Sequence, residues 1–298
     1  MTRTLHLARR RDQLVGSAAI VPALVLFAVF VFYPLVKTVV LSLSGTDLFG
    51  RSTGLVGFDN FSALAGDPAF GQTMRVTALF TLGVVVLRLV CGIAIAAPLA
   101  TKLRGQPVFR ALLTSPMAAS VATGSVAFAA MLNPGVSIVN AIVVALGGSP
   151  VEWLTSTTWA LPSVIVATVW GELGFTVLLL TTAFANVDEQ VLEAARIDGA
   201  SSWRIFRSIT LPLVTPTLFF LLVTGTVAAL RTFGQIQILT KGGPSSSTTT
   251  LVYNIYTAAF GSGGADLAAA SAMGLVLFVI VLAISGLQFG VLEKRVNY

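Results

Sequence analysis

Residues 13–36 contain no charged side chain, and neither do residues 111–151. A soluble domain has charge on about a quarter of its residues and spreads it over its surface. Here 10% of the 298 residues are charged and 55% are hydrophobic, with a mean hydropathy of +0.90. So little charge does not cover a water-facing surface of this size, and a bilayer is the natural solvent. About 20 consecutive apolar residues are enough to cross one as a helix. The chain is therefore expected to be an all-α integral membrane protein.

Taken in order, the apolar runs predict about six spans: 14–40, 73–100, 109–132, 159–184, 212–233 and 266–290. The first follows a short tail, 1–13, carrying Arg3, Arg9, Arg10 and Arg11. That start resembles a signal peptide, but the apolar run is too long for one and no small-x-small cleavage site is clear. Residues 14–298 then form one transmembrane domain. Residues 41–72 read as a polar outer loop. Asn133-Pro134-Gly135 ends the third span, and 136–147 is too short to cross, so it reads as an outer interfacial helix. Trp153 and Trp159 flank the return as interfacial aromatics do. Residues 234–264 form a second outer segment. Lys102, Arg104, Arg110, Arg196, Arg204, Arg207, Lys294 and Arg295 fall on the same side as the N-terminal arginines, against Arg51 and Lys241 opposite and Arg75 at a boundary. Basic residues mark the cytoplasmic side, so both termini are expected inside.

The formal net charge of +6 does not point to nucleic acid, because the basic residues are scattered at the ends of apolar runs. The single cysteine, Cys91, allows no internal disulfide, and the single histidine, His6, lies in the tail. No His-based triad, Cys–His dyad or zinc site can be built from these. Cys91 reads as packing. Asn140 and the Ser/Thr residues of 114–125 read as helix–helix hydrogen-bonders.

The longest charged passage is 188–212, DEQVLEAARIDGASSWRIFRSITLP. A helix through Glu193, Ala194 and Ala195, with Leu192, Ala195 and Ile197 on its apolar side, is stopped by Gly199. A second helix restarts at a serine cap. Trp203, Ile205, Phe206 and Ile209 give it large apolar groups, and Pro212 opens the next span. The spacing E-A-A, three residues, G, nine residues, I-x-L-P resembles the cytoplasmic loop of permease subunits of ATP-driven (ABC) importers. Residues 239–260, LTKGGPSSSTTTLVYNIYTAAF, 56–70, VGFDNFSALAGDPAF, and the Arg110–Pro116 pair are similar to the group serving sugars and related polar solutes, the maltose, glycerol-3-phosphate and multiple-sugar permeases. Lys241 stands where that group commonly has a small residue.

The resemblance implies a coupling helix between the fourth and fifth spans, carried here by Glu193, Ala194, Ala195, Asp198, Gly199, Arg204, Phe206, Ile209 and Pro212. It also implies a second permease subunit of similar fold, two ATPase subunits that hold ATP and Mg2+, and an extracytoplasmic solute-binding protein. The chain itself is then a transport subunit without catalysis or cofactor, in a bacterial-type cytoplasmic membrane. GxxxxGK[ST] is absent.

Intramembrane charge is functional by default. Arg88 and Glu172 lie about twelve residues from the outer ends of their spans, at one depth, and are expected to pair. Arg231 and Gln235, at the outer end of the fifth span, complete the candidate solute pathway. A secondary transporter remains the alternative, but internal repeats are not visible and the 188–212 loop would have no role in one. An integral-membrane enzyme would rest on Arg88 and Glu172 alone.

Overall fold

The computed structural model describes residues 20–47, 52–100, 105–135, 137–261 and 265–293. The N-terminal tail with His6 and its arginines lies outside the described residues, as do Arg51, Lys102, Arg104, Lys294 and Arg295. Among the described residues four helices are long and apolar enough to cross a membrane, or six if two bent pairs each count as one span. The chain divides into two compact units, Met1–Gly66 with Thr257–Val276, and Asp67–Tyr256 with Leu277–Tyr298.

In the first unit α1, Ile20–Ser42, buries none of its apolar window. Phe27, Phe30 and Phe32 stand out from it, as suits a helix whose solvent is lipid. The segment expected as an outer loop is more ordered than its composition suggests. Strands β1, Ser44–Thr46, and β2, Ser52–Leu55, pair antiparallel, and α2, Asp59–Gly66, follows. Asn60 Nδ2 donates to the carbonyls of Ser42 (2.8 Å) and Ser44 (2.9 Å), which ties α2 to the end of α1. Residues 41–72 read from sequence as loop, so the hairpin and α2 are additions. The segment has no alternating apolar run, because the hairpin is held by backbone pairing and by Asn60.

The second unit is built on α3, Pro68–Leu99, and α7, Ala160–Ala185. Asp67 caps α3 by accepting the Ala69 amide (2.8 Å), and Pro68 fills the first turn, where a missing N–H costs nothing. Two apolar clusters join these helices. One gathers Phe80, Val84, Val85, Val164, Ala167 and Val169 with residues of 229–253. The other gathers Ala96, Leu99, Val177, Leu180, Phe184, Val214 and Leu221.

Two spans differ from expectation. The run 109–132 is not one helix: α4, Gln106–Ala118, and α5, Val121–Leu132, meet at 102°. Pro116 supplies no amide to the α4 ladder. Ala119 is extended, and Ser120 Oγ then accepts the Thr123 amide (3.1 Å) to cap a new helix. The fifth span does not begin at Pro212. Pro212 belongs to α9, Ser202–Leu213, and the span proper is α10, Thr215–Leu230, bent from α9 by 64°. Pro216 in the first turn of α10 also lacks an amide. The break falls at Val214, which is buried. After α10 come α11, Gly234–Leu239, α12, Leu251–Phe260, and α13, Leu267–Leu287.

The expected outer helix is α6, Ile138–Ala145. Buried Asn140 holds it in place. Its Oδ1 accepts from the Val151 amide (3.0 Å) and Trp153 Nε1 (2.8 Å), and its Nδ2 donates to the Val151 carbonyl (3.0 Å). It is thus a clasp between α6 and the following strand of chain. Asn140→Ala leaves these donors without an acceptor, at a cost of about 1–3 kcal/mol. The expected result is cleavage of the 133–158 segment by added protease about tenfold faster or more, with insertion of the spans unchanged. Cleavage at the wild-type rate would show that α6 does not depend on the clasp.

Candidate functional site

Between the two apolar clusters lies the charged pair. Arg88, on α3, is 4% exposed. Its Nη1 donates to Glu172 Oε2 on α7 at 2.6 Å, and its Nη2 donates to the Leu221 carbonyl on α10 at 2.7 Å. The expected pairing is formed, and a third helix is drawn into it. Gly225 makes the room. It sits one turn after Leu221, and a Cβ there would collide with the guanidinium. Burial of a guanidinium is tolerated only where its charge is paired, and here a carboxylate and a carbonyl meet its two terminal nitrogens.

The two partners differ in exposure. The Arg88 side chain is 5% exposed and the Glu172 side chain 27%. Glu172 opens onto a cavity of about 250 Å³, lined also by Ser120, Ser125, Trp170 and Gln235. Gln235 therefore joins Glu172 at one site. Arg231 does not line it: it caps the C-terminal end of α10 and is exposed, where a cation is favoured by the helix dipole.

At the other end of the second unit stands α8, Glu189–Ile197. Asp188 caps its start by accepting the Gln190 amide (2.9 Å). Its end closes by two bonds, Gly199 N to the Arg196 carbonyl (3.1 Å) and Ala200 N to the Ala195 carbonyl (3.0 Å). This is the Schellman arrangement, and it places Asp198 at the C-cap and Gly199 at φ +76°, a conformation that side chains disfavour. Ser201 then caps α9 by accepting the Arg204 amide (3.4 Å). The predicted helix–turn–helix is present.

Its two halves face different ways. Ile205 is buried, and Phe206 packs on Phe184 of α7 with ring centroids 6.1 Å apart. Ile209 and Pro212 are half-buried and Arg204 is exposed. In α8, Leu192 and Ala195 are half-buried while Glu193 and Ala194 are exposed. Ile197 corrects the sequence reading. The sequence groups it with Leu192 and Ala195 on one apolar side, yet it is 85% exposed while they are half-buried. It lies four residues after Glu193 and so shares that residue's face. Val191 and Trp203, at 42% and 67% exposed, add to the uncovered apolar surface.

Residues 89–298 match the family described as "Binding-protein-dependent transport system inner membrane component". The chain belongs to this family. The permease is 32% identical over 282 residues to the sn-glycerol-3-phosphate transport system permease protein UgpA of Agrobacterium fabrum, covering 94% of each chain. It is 34% identical over 278 residues to the protein of the same name from Brucella suis, covering 93% of this chain and 94% of that one. Its fold is that of a chain in the crystal structure of a bacterial alginate ABC transporter in complex with an alginate pentasaccharide-bound periplasmic protein, with TM-score 0.82, 22% identity, and 97% and 98% of the two chains covered. The permease is thus a multi-pass membrane subunit of a binding-protein-dependent importer.

The family match leaves individual roles to the geometry. Ile197 is placed on the wrong face by the sequence pattern, and Val191 and Gly225 are not singled out by it. The first could have been found from its i+4 relation to Glu193. Gly225 gives no local signal, since a glycine in an apolar span is common.

Proposed function

We propose that the permease forms half of the pathway for a hydroxyl-rich polar solute, of the class that includes sugars and glycerol phosphates. The names of its relatives support that class. A second permease subunit supplies the other half, and an extracytoplasmic binding protein delivers the solute. Two ATPase subunits, which bind ATP and Mg2+, drive the cycle from the cytoplasmic face of the inner membrane. Glu172 and Gln235 lie on the pathway, with Arg88 paired to Glu172 behind it, and Arg231 stands at its mouth.

The observation that carries the reading is α8. Its outward face presents Glu193, Ala194 and an almost uncovered Ile197, while the next helix is fixed to the bundle by Ile205 and Phe206. A small residue beside an exposed apolar one suits close docking into a cleft. A rigid anchor behind it passes motion on to α7 and α10 through the apolar cluster they share. ATP-driven closure of the ATPase pair would in this way rock the bundle.

Ala194→Cys, in a chain with Cys91→Ser, tests this. It is expected to form a disulfide with single cysteines placed along the ATPase cleft in the assembled complex, and nucleotide should change the yield. Purified complexes in which position 194 crosslinks to no cleft cysteine would refute the docking assignment.

A further inference from the structure

The cavity at Glu172 has a charge character that neither the family nor its relatives' names assign. Among the described residues, Glu172 is the one charged side chain lining it. Its counter-ion is hidden: Arg88 does not line the cavity, and its two terminal nitrogens are turned to Glu172 and to the Leu221 carbonyl. Glu172 meets Arg88 through Oε2. The other oxygen, Oε1, has no protein partner among the described residues. Gln235 brings a carboxamide to the same space. A solute in the cavity therefore meets the acid face of the ion pair, in surroundings where apolar walls strengthen electrostatic effects.

We propose that Glu172 is a charge filter: this half of the pathway accepts neutral hydroxylated solutes through the carboxylate and Gln235, and disfavours phosphorylated anions. A carboxylate oxygen accepts a hydroxyl donor well. It offers nothing to a phosphate oxygen, which is also an acceptor, and the like charges repel. Arg88 holds the acid in place through Oε2, so it acts as a positioning residue here. This rests on the pathway reading above, and it sets the permease apart from a glycerol-3-phosphate carrier in spite of its relatives.

The test uses the complete purified complex in nanodiscs without the binding protein, so that the permease pair alone selects. Saturation-transfer NMR compares methyl α-glucoside, glycerol and sn-glycerol-3-phosphate. Wild type should bind the glucoside at least about tenfold more tightly than the phosphate. Glu172→Gln, which leaves Arg88 without a counter-charge, should bring phosphate binding up to or above that of the glucoside. Gln235→Arg keeps the ion pair and should move the ratio the same way, which covers the case of a Glu172→Gln complex that does not assemble. Tighter wild-type binding of glycerol-3-phosphate than of the glucoside would overturn the filter, as would no binding of any probe or a ratio unmoved by either variant. Stimulation of ATP hydrolysis when the loaded binding protein is afterwards added to the same nanodiscs reports on the importer assignment independently.

Discussion

Glu193→Lys and Ile197→Asp are expected to leave the permease inserted and assembled with its companion permease, and to abolish solute uptake. Both side chains are exposed and neither takes part in a capping bond, and exposed substitutions of that kind change stability little. A loss of function would then come from a surface that something else covers. Covering a side chain the size of isoleucine contributes about 1.5–3 kcal/mol. An aspartate at 197 should therefore weaken docking of the ATPase by about tenfold or more. Gly199→Val acts differently. Nothing lies within 4 Å of where its Cβ would be, so no clash occurs. The cost comes from a β-branched residue at φ +76°, which should unmake the Schellman turn and swing α8 away from its direction. The measurement is uptake and ATP hydrolysis in proteoliposomes. All three variants should lose uptake, and hydrolysis should no longer respond to the loaded binding protein. Wild-type coupling in Ile197→Asp would show that α8 is a passive connection.

The parts legible in the sequence were those set by composition or short-range spacing. Span positions followed from uncharged runs. The α8–turn–α9 unit followed from a glycine stop and a serine cap. The Arg88–Glu172 pair followed from equal depth, since an unpaired charge there is costly. What was missed depends on direction. The breaks at Ala119–Ser120 and Val214 sit inside runs apolar enough to be single spans, and only the capping geometry and a second proline divide them. Ile197 looks like a core residue by type, and only the phase of the helix turns it outward. The role of Gly225 is set by a residue on another helix, at a sequence distance no local pattern records.

That residue, Arg88, leads to an expected asymmetry. Glu172→Leu should destabilise the assembled complex far more than Arg88→Met does. Removing the acid leaves a guanidinium, 4% exposed and always charged, inside the bundle. Breaking a buried pair in this way typically costs about 3–5 kcal/mol. Removing the arginine leaves a carboxylate that is already partly open to the cavity and keeps some water. The Leu221 carbonyl, which loses the Nη2 donor, lies inside α10, where it can still accept in the helix ladder. Replacing both partners with apolar groups of similar size is often neutral or better, so Glu172→Leu with Arg88→Met should recover most of the loss. Gly225→Leu fills the slot from the other side and should resemble Glu172→Leu, because the guanidinium is pushed out of its bonds. The readout is thermal unfolding of the detergent-solubilised complex, with yield after size exclusion as a second measure. If Glu172→Leu unfolds at the wild-type temperature, or the double variant is no more stable than Glu172→Leu alone, the pair does not hold the three helices together. If the double variant assembles yet its solute charge preference changes, holding the bundle and filtering the solute are separable tasks of one ion pair.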